Sequence, residues 1–157
     1  MSMKKLTLAV LLAAALAGCG GSKEKAQALV EASGLNQQYG NIVEVAARSY
    51  SSRYPMLEHE QIRNVVRENL DAEDLKDMVV EIYADHFDND ELDLMIRANQ
   101  HPDQAMAMII TSKTGRDLAQ KIMTIQTTIA KDMQEALTDS DEAIIDALDD
   151  LKDEAQG

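Results

Sequence analysis

The chain has no tryptophan, one phenylalanine (Phe87), one cysteine (Cys19) and two prolines among its 157 residues. Aromatics reach only 3%, so the interior has to be built from Leu, Ile, Val, Met and Ala. Such side chains favour helices, because Ala and unbranched residues lose little rotamer freedom there, whereas strands favour β-branched and aromatic residues. A single cysteine excludes an internal disulfide. Few prolines and seven glycines leave few obligate turns, and three of the glycines (Gly18, Gly20, Gly21) surround Cys19.

Positive charge is also scarce. Fifteen Lys and Arg stand against 28 Asp and Glu, a formal net charge of -13. That surface repels phosphate backbones, so a nucleic-acid partner is not expected. It equally excludes attachment to anionic lipid through a basic patch. A basic protein, or divalent cations in bulk, would be tolerated.

Apolar residues nevertheless make up 45% of the chain, and their spacing is informative. Ala26, Leu29 and Val30 mark a helix over Lys23 to Ala32, closed by Ser33 and a left-handed Gly34. Tyr39, Ile42, Val43, Ala46, Ala47 and Tyr50 mark a second, over Asn36 to Ser51. Pro55 breaks the chain at Tyr54. Ile62, Val65 and Val66 share a face over Glu58 to Asn69, and Asp71 suits the N-cap of the next helix. That helix carries Leu75, Met78, Val79, Ile82, Tyr83 and Phe87 at near-ideal offsets. Asp88 and Glu91 form a capping-box pattern for a short helix with Leu92, Met95 and Ile96.

His101-Pro102 ends that helix, and "DQAMAMIITS" makes another short one. The longest helix is expected from about Arg116 to Leu137. Its stripe is Leu118, Ile122, Ile125, Ile129, Met133 and Ala136, expected to lie mainly in the core. Ser140 opens a last helix with Ile144, Ile145, Leu148 and Leu151 on one side. Seven acids there, Asp141, Glu142, Asp146, Asp149, Asp150, Asp153 and Glu154, face only Lys152. Four of them crowd the end where the helix dipole prefers cations, so this segment is expected to be marginal, a frayed acidic tail or a partner-docking helix. No run alternates with period two. The fold class expected is therefore all-α, an irregular bundle of about seven or eight helices following a cleaved signal peptide.

The signal peptide rests on Lys4 and Lys5 followed by an uncharged apolar run from Leu6 to Ala17. That run is shorter than the ~20 residues a helix needs to span a bilayer, and small residues follow it. Leu16-Ala17-Gly18-Cys19 resembles the lipobox of bacterial lipoproteins. The resemblance implies cleavage before Cys19, diacylation of its thiol, and acylation of the new amino group. Two or three acyl chains give stable anchoring, at ~0.8 kcal/mol per buried methylene, where one does not. Gly20, where an Asp would favour the inner membrane in lipoproteins of this class, implies an outer-membrane anchor facing the periplasm. The expected organisation is a signal peptide over 1–18, a lipidated cysteine and short tether over 19–22, and a single helical domain over 23–157.

Two further stretches, "IYADHFDNDELDLMI" and "SKTGRDLAQKI", resemble the bacterial DUF-two-zero-five-nine family through Tyr83, Ala84, Phe87, Glu91, Leu92, Ser112 and Gly115. The chain departs from that pattern at Ile110, Thr111 and Lys113 and carries a longer spacer before them. The resemblance implies a helical, exported domain and no particular activity.

Chemistry is harder to find. Asp85, His86, Asp88, Asp90 and Asp93 invite a calcium site, but a helix-loop-helix loop started at Asp88 puts Leu92 at position five and Asn99 at twelve. Started at Asp139, it puts Ile144 where glycine belongs. His59, His86 and His101 lack partners at zinc-ligand spacing. Ser112 in "SKTG" reads as a helix-start residue, and the phosphate-loop pattern is incomplete. No metal site, cofactor or catalytic residue is expected. The expectation is a membrane-anchored, non-catalytic binding or envelope-associated module. A metal-buffering role for the acidic surface is the alternative, and a protein partner through the last helix is a third reading.

Overall fold

A computed structural model describes residues 21–157, and the lipobox with Cys19 lies outside them. Helix α1 covers residues 21–32. It is followed by α2 (Leu35–Ser51), α3 (His59–Asn69), α4 (Ala72–His86), α5 (Asn89–Gln100), α6 (Ala105–Thr111), α7 (Lys113–Ala136) and α8 (Thr138–Gln156). No strand occurs among the described residues, and the fold is all-α. No described helix is long and apolar enough to cross a membrane.

Most helix ends follow the local chemistry read from the sequence. Gly34 takes φ 74°, the left-handed region that ends α1, and its carbonyl accepts the first amides of α2. The Asp71 carboxylate accepts the Glu73 amide at 2.8 Å, capping α4. Asp88 caps α5 by accepting the amides of Asp90 and Glu91, while the Glu91 side chain accepts the Asp88 amide. Three segments differ from expectation at their ends. Gly21 and Ser22, expected in a tether, are helical, and the Ser22 hydroxyl donates to Asn89 at 3.2 Å. The longest helix begins at Lys113 rather than Arg116, because the Ser112 hydroxyl accepts the Gly115 amide at 2.9 Å. The last helix begins at Thr138, ahead of Ser140.

The described residues form two compact units, with boundaries in the turn at Ser33 and Gly34 and inside α4 and α7. The first joins residues 21–33 to Val79–Ile129. Its buried side chains include Ala26, Leu29, Val30, Val80, Ile82, Phe87, Leu92, Leu94 and Leu118. Tyr83 meets Phe87 edge to face at 5.8 Å between ring centres. In the same unit Gly115 lets α7 start against α6, since a Cβ there would stand 2.3 Å from the Ile109 carbonyl oxygen.

The second unit joins Gly34–Met78 to Ala130–Gly157. Its core is Val43, Ala47, Tyr50, Tyr54, Leu57, Ile62, Val65, Val66, Ile144 and Leu148. Complete burial of a side chain such as Ile62 or Leu148 stabilises the unit by about 1.5–3 kcal/mol. Helix α8, expected to be marginal, thus supplies two core residues and is held by them. Two tyrosines reinforce it: the Tyr50 hydroxyl donates to Asp141, and Tyr54 hydrogen-bonds Asp149.

The expectation for α7 is corrected. Of its stripe only Leu118 is buried; Ile125, Ile129 and Met133 are half-buried, Ala136 is exposed, and Ile122 keeps 41% of its surface. A helix whose two ends belong to different compact units has no single core to lie in, so its apolar stripe is covered only in part.

Candidate functional site

The acids around Asp88 are already engaged within the first unit. Asp88 is the N-cap of α5, and Glu91, buried, accepts Lys121 Nζ at 2.6 Å as well as the Asp88 amide. Lys121 in turn lies over the Phe87 ring, 5.4 Å from its centre. Asp93 pairs with Lys25, and Asp85 and Asp90 are exposed. His86 is the last residue of α4 and His101 follows α5, whereas His59 belongs to the second unit. Among the described residues no three His, Cys, Asp or Glu side chains gather where they would hold a metal ion.

One arrangement resembles a catalytic relay. Ser51 Oγ lies 3.3 Å from His59 Nδ1, and His59 Nε2 lies 3.1 Å from Glu44 Oε1. The His59 hydrogen bond is the main reason the Glu44 carboxyl sits below its usual range, with Arg48 adding to it. Ser51, however, is the last residue of α2, where helix carbonyls collect, and its hydroxyl donates to the Ala47 carbonyl at 2.9 Å. A developing oxyanion needs amide donors, and a helix C-terminus presents the opposite charge. The trio therefore serves as a clasp between α2 and α3.

The second unit also contains a groove of about 770 Å³, within the range usual for small-molecule sites. Ala46, Leu70, Ala130, Met133, Leu137 and Ile144 give it an apolar lining. Tyr50, Gln134, Thr138, Ser140 and Asp141 supply the polar groups. Helix α2 contributes Ala46 and Tyr50; the last turns of α7 and the first turn of α8 contribute most of the rest. The Tyr39 hydroxyl fixes Leu70 in place by donating to its carbonyl at 2.6 Å.

Burial, followed by the hydrogen bond to Asp141 and that residue's charge, pushes the Tyr50 phenol well above its ordinary value. Tyr50 thus remains a neutral donor at any physiological pH. Its proton is committed to Asp141, whose carboxylate keeps acceptor capacity to spare.

In the sequence, Tyr50, Ala46 and Met133 fall on apolar faces and Asp141 on an acidic one. Nothing local brings them together, because Tyr50 and Asp141 are 91 positions apart. The one local signal was the lack of a basic residue in the last turn of α7. No family model matches the chain, and neither does any curated protein or solved structure.

Proposed function

We propose that this chain is a lipid-anchored protein of the outer membrane, facing the periplasm, and that it works as a non-catalytic binding module through the groove of its second unit. Anchoring rests on the lipobox at Leu16 to Cys19, and the choice of membrane on Gly20. The resemblance around Tyr83 to Leu92 supports export, and the helical fold is the one it implies. The binding role rests on one observation, an apolar groove of about 770 Å³ with a few convergent polar groups, the usual make-up of a small-molecule site.

Titration of the protein with phenylnaphthylamine, whose fluorescence rises in apolar surroundings, tests the binding role. Saturable enhancement is expected, and it is lost in Ala46→Phe or Ala130→Phe, each of which fills the groove from a different helix. Circular dichroism confirms that the helices persist in the variants. No saturable signal in the parent chain, or the same signal in both filled variants, would overturn the role. Palmitate incorporation, absent in Cys19→Ser, tests the anchor separately.

A further inference from the structure

We infer that the ligand of the groove is an amphiphile with a cationic, hydrogen-donating head, such as an alkylammonium group. This rests on the groove being a ligand site and adds the chemical class. Among the described residues lining the groove, Asp141 is the one that is charged, and none is Lys or Arg. Tyr50 occupies part of that exposed carboxylate as a donor, and the capacity left on Asp141 is open to a second donor from the ligand.

The helix ends at the groove favour the same charge. Met133 and Gln134 lie in the last turn of α7, which bears partial negative charge and has no basic residue. Thr138, Ser140 and Asp141 lie in the first turn of α8, a partial positive end that would attract an anion if it stood alone. Asp139 and Asp141 already meet that end with two carboxylates. An anionic head would face them with no Lys or Arg in the described lining to offset the repulsion, and a neutral head would forgo the attraction of the Asp141 charge. The apolar lining accommodates the tail. Charge-assisted hydrogen bonds of this kind are among the stronger polar contacts, which gives the head group a share in affinity beyond that of the tail.

The test compares decylammonium, decanol and decanoate, which share a tail and differ in head. Each is titrated below its aggregation limit into the full chain, and the methyl resonances of Met133 and Ile144 report occupancy. Decylammonium is expected to bind at least about tenfold tighter than decanol, with decanoate weakest. Asp141→Asn keeps an acceptor for Tyr50 while removing the charge, and it is expected to erase the difference between decylammonium and decanol. Ser140→Lys, which places a cation at the lining, is expected to move the preference toward decanoate. Equal affinities in the parent chain, or a preference that survives Asp141→Asn, would overturn the head-group inference and leave the groove as a site for neutral ligands. If no tail shifts Met133 or Ile144, the groove reading itself fails.

Discussion

Gly115 shows how one side chain, or its lack, fixes a junction. Its amide is capped by Ser112, and its bare Cα lets α7 begin against the Ile109 backbone. Gly115→Ala is expected to destabilise the first unit by about 1–3 kcal/mol, because the obstacle is backbone and cannot rotate away; a urea melt measures it. Both halves of that turn were legible in "SKTG" as a capping residue and a small one, whereas the closeness of α6 was not. Tyr50 carries a second prediction. Its folded pKa is raised, so below about pH 10 both folded and unfolded phenols hold their protons and the full contribution is present. Above that the unfolded phenol ionises first, and stability falls as pH rises toward the folded value. Tyr50→Phe is expected to flatten much of this alkaline loss in urea melts at about pH 9 and about pH 11, while Tyr54, raised by burial and by Asp149, retains a share.

At the level of elements, α8 is the instructive case. Its acids pointed to a frayed tail, and as a free helix it would be poor, with no basic residue in its last turn. Packing decides otherwise: Ile144 and Leu148 are buried, Tyr50 and Tyr54 meet its acids, and Gln156 donates to the Met56 sulfur at 3.1 Å. The apolar spacing was readable, but the tyrosines that answer it lie far off in sequence, and propensity is silent about tertiary partners. The electrostatic cost remains available to relieve. Asp153→Lys, exposed in the last turn, is expected to raise the thermal stability of the chain by about 0.3–1 kcal/mol, through the dipole and a pairing with Asp149 four residues before it. An unchanged or lower melting temperature in calorimetry would count against that reading. Helix α7 went the other way: its stripe looked like core, and Ile122 proves to be exposed, at 41%.

For the whole molecule, helical periodicity was enough to give the fold class, since sparse aromatics and regular apolar offsets leave no strand to build. The division into two units was readable only in part: the turn at Ser33 and Gly34 breaks the pattern, whereas the other two boundaries fall inside α4 and α7 and leave no break in it. The groove escaped for a related reason, its lining being drawn from α2, Leu70, α7 and α8. A lipidated Cys19 and a groove that holds an amphiphile are the two properties we propose for the chain. Native mass spectrometry of the chain extracted from membranes tests both parts in one spectrum. The expected species is a chain beginning at Cys19 with acyl groups on it, carrying a small non-covalent amine-bearing adduct that Ala46→Phe and Ala130→Phe remove. A free thiol at Cys19 would contradict the anchor, and an adduct-free parent chain, or adducts retained by both filled variants, would contradict the binding site.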